Sequence, residues 1–256
     1  MRKKVGLALG SGGSRGFAHI GIIKALREND IPIDCISGSS MGAVVGAVYA
    51  SGADMDIAAK LAVELNERMY LDVLVPKRGF IKGERIQSLI KTLTKDYDFD
   101  QLEIPFCCLA CDLENAEAVV LNSGKVHDAV RASISIPGIM VPHKLNGRML
   151  VDGGVIERVP VEAARQLGAD IVIASDVAYK GSKHPEAKTL IDIIMQSIDI
   201  MQWELAKVKT LGADVLLLPE VSHINSLSNE RADECIEIGY ECAIEALPII
   251  KEKLES

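Results

Sequence analysis

The pentapeptide Gly38-Ser39-Ser40-Met41-Gly42 follows a short apolar run, Ile33 to Ser37, and opens a small-residue stretch, Met41 to Ser51, of helical pattern. Strand, tight turn and helix around Gly-x-Ser-x-Gly are the setting of a nucleophile elbow. Such a turn forces its central residue into a strained conformation, and glycines two places to either side leave room for neighbouring chains. Ser40 is that central residue. Its hydroxyl would project at a helix start, where unpaired amides and a partial positive charge favour an oxyanion, and Met41 would supply one amide. Ser39 or Ser40 would serve equally as the cap of that helix, and capping is compatible with catalysis. The pentapeptide recurs by chance, so its partners must decide.

Gly10-Ser11-Gly12-Gly13-Ser14-Arg15-Gly16 lies between an apolar strand, Val5 to Leu9, and a helix from about Phe17 to Arg27. A run of free amides there can form an anion nest. In a hydrolase, the Gly12 and Gly13 amides would complete an oxyanion hole opposite Met41; in a dinucleotide-binding protein the same turn would cradle a pyrophosphate. Asp34 near the second strand, and the Tyr179-to-Lys183 spacing of short-chain dehydrogenases, speak for the second reading. Gly181, Ser182 and His184-Pro185 break the helix that such a pair needs, and a nucleotide role leaves Ser40 unexplained. Arg15 either fixes the turn through a salt bridge or touches an anionic substrate group.

A serine nucleophile needs a base. Val151-Asp152-Gly153-Gly154-Val155 places a carboxylate at the end of an apolar pair and before two glycines, which by itself reads as an Asx turn. An aspartate of ordinary pKa, about 3.9, is a poor base at neutral pH. The five histidines are His19, His127, His143, His184 and His223, and none lies in a triad-like motif. His19 is expected at the surface or the core edge. A triad in the order Ser40, Asp152, His223 stays open as an alternative.

The glycine turn with Arg15, the elbow at Ser40 and Asp152-Gly153-Gly154, in this order and at these separations, resemble the patatin-like phospholipase family in its small, stand-alone bacterial form. Ala132-Ser133-Ile134-Ser135-Ile136-Pro137 is similar to the family's Ala-Ser-x-x-Pro region, so the likeness spans roughly Val5 to Val161. It implies a Ser-Asp dyad without histidine, Ser40 as nucleophile and Asp152 as base. It also implies an oxyanion held by the glycine loop, lipid esters such as phospholipid or lysophospholipid as substrate, and no metal or cofactor. The chain departs from the family pattern at Ser11, at Met140-Val141-Pro142, and at Glu157-Arg158, which replaces an Asn-Asn pair before Val159-Pro160. A lipid-binding or regulatory protein that keeps the fold without turnover is the rival of a different class.

To bring residues so far apart together, the chain needs a central sheet. Apolar strands are expected at Phe106 to Leu113, Ala118 to Leu121, Ile171 to Ala174 and Val215 to Leu218, with helices at Ile57 to Glu67, Ile86 to Thr94, Leu190 to Val208 and Ala232 to Leu254. Alternation of strands and helices predicts a three-layer α/β/α fold with a mainly parallel sheet. Residues 1–256 are expected to form one domain, with the motifs inside 5–161 and the remainder completing the sheet and its helices. Leu190 to Val208 is apolar nearly all round, which predicts burial or a homo-oligomer interface.

With 48% hydrophobic residues the chain can build a full core, and its net charge of −8 offers no basic face for nucleic acid. The six cysteines sit mostly in apolar stretches and no secretory leader is apparent, so a reduced, cytoplasmic protein is expected. Cys35 to Ala53 carries no charge but is rich in glycine and serine, which suits close helix-to-sheet packing better than a membrane span. Lys77, Arg78, Lys82 and Arg85 around Phe80 and Ile81 read as a solvated loop or as a peripheral contact with lipid head groups. Cys108 and Cys111 on a strand point to opposite faces, and Asp96, Asp98 and Asp100 lack the glycine and closing glutamate of a calcium loop, so no metal site is expected.

Overall fold

The computed structural model describes residues 2–64, 72, 79–177 and 187–255. Lys77 and Arg78 of the basic patch and the Tyr179-to-Lys183 pair lie outside these residues. In chain order the described elements are β1 (Val5–Leu9), α1 (Ala18–Glu28), β2 (Cys35–Ser39), α2 (Met41–Ala50), α3 (Met55–Glu64), α4 (Glu84–Leu93), β3 (Phe106–Asp112), β4 (Glu117–Leu121), α5 (Val126–Ser133), β5 (His143–Leu145), β6 (Arg148–Asp152), α6 (Val161–Gln166), β7 (Ile171–Ser175), α7 (Leu190–Lys209), β8 (Val215–Leu217) and α8 (Ala232–Glu255). They form one sheet in the order β5-β6-β3-β2-β1-β7-β8, with β4 also paired to β3.

The β3-β2-β1-β7-β8 run is parallel throughout, and β4, β5 and β6 add antiparallel pairs at one side. Every residue of β1, β2, β3 and β7 is buried, as the unbroken apolar strands require of a sheet covered on both faces. Alternation assigns the faces. Val5, Leu7 and Leu9 join Ile22, Ile23 and Leu26 of α1 in the main core, with α2, α5 and α8 on the same side. Ala8, Cys35, Val172 and Ala174 face the other way, onto Val161 and Ala164 of α6. Each fully buried Leu or Ile contributes about 1.5–3 kcal/mol relative to an exposed one, so the main core dominates cohesion.

One expectation changes. β2 begins at Cys35 instead of Ile33, because Asp34 is occupied in tying the strand starts together. Its carboxylate accepts the Val5 amide at 2.7 Å and both Arg2 guanidinium bonds at 2.6 Å, and its own amide donates to Val5. A ribose ligand would have to displace Arg2. For α7, expected to be buried or to form a homo-oligomer interface, burial within this chain is partial. Met195, Gln202 and Ala206 are buried, but Leu190 is 73% exposed and Ile193, Ile200, Met201 and Leu205 are each about half exposed, so only one stripe of the helix packs on this chain.

Candidate active site

Strand register brings the serine and the aspartate together. β2 pairs with the first half of β3, ending at Ser39 opposite Leu109, while β6 runs antiparallel along the second half, ending at Asp152 opposite Ala110. β4 pairs with Cys108 through Asp112, which places β2 and β6 on the same, opposite edge of β3. The C-terminal ends of β2 and β6 therefore meet head to head. The β5-β6 hairpin that delivers Asp152 turns through Asn146 (φ 51°) and Gly147 (φ 78°), left-handed at both positions as a tight two-residue hairpin requires.

Ser40 sits at φ 53°, ψ −120°, a region that costs a non-glycine residue of order 1–3 kcal/mol unless its surroundings enforce it. They do so from both sides. Its amide donates to Ser133 Oγ at 3.0 Å, and its carbonyl accepts from Ala43 and Val44 in the first turn of α2. The sharp reversal is possible because a Cβ on Gly38 would lie 2.6 Å from Ala43 N, and one on Gly42 would lie 2.2 Å from the Leu9 carbonyl oxygen. The Ser40 side chain makes no cap bond to α2; its hydroxyl donates to Asp152 Oδ2 at 2.5 Å.

Asp152 is 4% exposed. Its Oδ1 accepts the Gly154 amide at 2.8 Å, so the Asx turn and the serine contact use different oxygens of one carboxylate. The Asp152 amide donates to the Ser135 carbonyl, and Gly153 presses on the Leu109 carbonyl with no space for a side chain. Burial pushes the carboxyl up from 3.8 to about 6, against the opposing pull of the Ser40 and Gly154 bonds and of Arg158. A base of that strength is ionised at neutral pH and still able to take a proton.

Ser40 and Asp152 line a cavity of about 30 Å³ together with Ser11, Gly12 and Gly13 from the glycine turn and with α7. The turn is anchored at its ends: Gly10 donates to Ser175 O, Ser11 to Arg158 O and Ser14 to Ser226 O. Among the described residues no hydrogen bond takes up the amides of Gly12 and Gly13. Gly12 abuts Val177, 2.4 Å from a would-be Cβ, and Gly13 (φ 57°) backs onto the Ser226 carbonyl. Gly16 has Met41 Cγ 2.5 Å from where a Cβ would stand, so the turn and the start of α2 are in direct contact.

Other residues fall differently. Arg15 is buried, donating to the Ile224 carbonyl at 2.8 Å and to Asp199 at 3.2 Å, an arrangement that fixes the turn. His19 is fully buried, not at a core edge. Its Nε2 lies 2.8 Å from the Gly10 carbonyl, which can only accept, and its Nδ1 3.1 Å from Ser175 Oγ. Burial pushes it down to about 4, so a neutral ring clamps the glycine turn to β7. His223 pairs with Glu234 of α8 at 2.9 Å, on a side chain 45% exposed, and does not line the Ser40 cavity. Of the basic patch, Phe80 is 40% exposed and Lys82 pairs with Glu84 at 2.6 Å. Among the described residues no cluster of His, Cys, Asp or Glu could hold a metal ion, and no helix is long and apolar enough to cross a membrane.

Arg158, one of the departures noted in the sequence, is buried beside the site. It donates to Asp176 and, at 3.0 Å, to Gln202 of α7, which also accepts from Ser11 Oγ at 3.4 Å. Sequence reasoning gave no role to Gln202 or Asp199, because α7 reaches the site only through tertiary packing. Ser133 lay within a recognised motif without an assigned contact.

A family model for patatin-like phospholipases matches residues 7–165, which include every element that places Ser40 and Asp152. The chain belongs to that family. An uncharacterised NTE-family protein of Mycobacterium tuberculosis is 42% identical to this patatin-like chain over 188 residues, 72% of the chain. A lysophospholipase, NTE1, of Pyricularia oryzae is 31% identical over 98% of it. The chain spans about half the length (51%) of the mycobacterial protein and 19% of the fungal one. Among solved structures, VipD of Legionella pneumophila superimposes with a TM-score of 0.69 at 14% identity, covering 98% of this chain and 67% of VipD. ExoU of Pseudomonas aeruginosa superimposes at 0.54, over 100% of this chain and 53% of its own. Both likenesses concern the fold alone.

Proposed function

We propose that this chain is a serine hydrolase that cleaves the acyl esters of lipids, phospholipid or lysophospholipid, through a dyad of Ser40 and Asp152. The observation that carries the reading is the 2.5 Å bond from a strained, helix-starting Ser40 hydroxyl to a buried carboxylate whose pKa is raised to about 6. In the forward step Ser40 Oγ attacks the ester carbonyl and its proton passes to Asp152 Oδ2. The negative charge gathers on the carbonyl oxygen, within reach of the Gly12, Gly13 and Met41 amides. Asp152 then gives its proton to the leaving alcohol, and the acyl group remains on Ser40. Water, deprotonated by the same carboxylate, releases the acid and restores the serine. Arg15 and His19 hold the glycine turn in place.

Membership of the family and the lysophospholipase among the relatives support a lipid ester as substrate. The test is hydrolysis of a p-nitrophenyl ester and of lysophosphatidylcholine by the wild type, Ser40→Ala and Asp152→Asn. Both variants should fall by 10³-fold or more, on the order of what loss of a nucleophile or its base costs. Labelling of Ser40 by a fluorophosphonate should vanish in Ser40→Ala. A wild type that neither turns over nor labels would favour a non-catalytic lipid-binding protein, and activity retained in Asp152→Asn would remove the base assignment.

A further inference from the structure

A second cavity of about 120 Å³, lined almost wholly by carbon, lies between α2, α3 and α4. Val48 of α2, Ala62 of α3 and Ile90 of α4 form its inner walls, and each is buried. Three chain segments contribute residues both to it and to the Ser40 cavity. The glycine turn lines the Ser40 cavity at Gly12 and Gly13 and reaches the apolar one at Phe17. The start of α2 presents Ser40 to the first and Met41, the next residue, to the second. The segment that follows β8 contributes Ser226 to the first and Asn229 to the second, and Ser14 of the glycine turn binds both, its amide to Ser226 O and its hydroxyl to Asn229 Oδ1, each at 2.9 Å. The two cavities thus border the same three segments at neighbouring residues, one polar and holding Ser40, the other apolar.

Resting on the hydrolase reading above, we propose that the apolar compartment receives the acyl chain of the ester that Ser40 attacks, with the Met41 side chain as the divider it passes. The lining fixes the chemistry of the occupant. A phosphate or an amino alcohol would find no charged partner there, whereas an alkyl chain leaves water for a carbon surface. Packed interiors keep few voids larger than a water molecule, and an apolar cavity of about 150 Å³ stays dry and takes benzene. A space of this size therefore takes about six carbons. Met41 suits the divider position because an unbranched thioether changes rotamer at little cost. Gly16, against which it rests, gives it the room.

The experiment is a series of p-nitrophenyl esters from acetate to decanoate. In the wild type kcat/KM climbs about fourfold for each added methylene and levels once the compartment is full. Ala62→Phe and Val48→Phe fill it and flatten the climb, while acetate is still hydrolysed within about twofold of the wild type, which also reports a folded site. Ala58→Leu, at a half-buried lining position, is the milder variant should the larger ones fail to fold, and it moves the levelling point to shorter chains. A length profile unchanged in these folded variants overturns the assignment. If the wild type hydrolyses no ester at all, the hydrolase reading fails separately. Binding of hexanoic acid, followed by ligand-observed NMR, then decides the compartment: binding weakened about tenfold or more by Ala62→Phe upholds it, and unchanged binding overturns it.

Discussion

Asp152 reverses the ordinary relation between a carboxylate and the stability of its fold. In the unfolded chain it titrates at 3.8; in the folded protein burial raises it to about 6. Between those values the folded state holds a proton that the unfolded state has released, so this group stabilises fully below pH 3.8 and its contribution is lost as the pH rises through 6. The interval is worth about 3 kcal/mol at neutral pH. Asp152→Asn cannot titrate, so the stability difference between variant and wild type isolates this one proton. Urea denaturation at steps from about pH 4 to about pH 8 should show that difference swinging by about 2.4 kcal/mol in the variant's favour, nearly complete by about pH 7. The same variant should be inactive. A flat difference, or a swing toward the wild type, would mean that the carboxylate is not desolvated in the folded protein, and its strength as a base for Ser40 would lose its physical source.

Four further outcomes follow from the same geometry. The kcat/KM of ester hydrolysis should fall tenfold per pH unit below an apparent pKa near 6, as Asp152 becomes protonated; a profile flat to about pH 4 would refute the base assignment. Arg158→Met should raise that apparent pKa, since Arg158 holds Asp152 down, and should destabilise the fold by breaking the buried pair that Arg158 makes with Asp176; a pH profile and denaturation read the two effects separately. Gly42→Ala should destabilise by at least about 1–3 kcal/mol and cut activity, because the new methyl meets the Leu9 carbonyl oxygen at 2.2 Å. His223→Ala should leave kcat within about twofold of the wild type, since it removes an exposed pair with Glu234 away from the Ser40 cavity; loss of activity would restore the triad reading.

Much of the site was legible from local pattern. Ser40 announces itself because the elbow needs glycines at 38 and 42 for close approach to Ala43 and Leu9, and that need is written in adjacent residues. The parallel strands were readable because a sheet buried on both faces demands unbroken apolar runs such as Val5 to Leu9. The hairpin carrying Asp152 had a signal that went unused: Asn146-Gly147 between Leu145 and Arg148 marks a left-handed two-residue turn and hence the strand leading to the aspartate. His19 was misplaced because its burial depends on the Gly10 carbonyl and on Ser175, the latter 156 positions away, and nothing local encodes that. The same holds for Gln202 and Asp199. Hydrophobicity all round α7 does not fix its depth within this chain, where six of its large apolar side chains are exposed.

The head-to-head meeting of β2 and β6 along one edge of β3 makes the spacing of Ser40 and Asp152 chiefly a property of three strands. Thirty-odd residues separate β3 from β6, yet insertions in the β3-β4 turn would leave Ser40 and Asp152 in contact provided Ala110 still faces Asp152 and Ser133 and Ser135 keep their bonds to the pair. Sliding β6 by a single position would instead turn the carboxylate through to the opposite face of the sheet, away from the hydroxyl, with every atom of both residues intact.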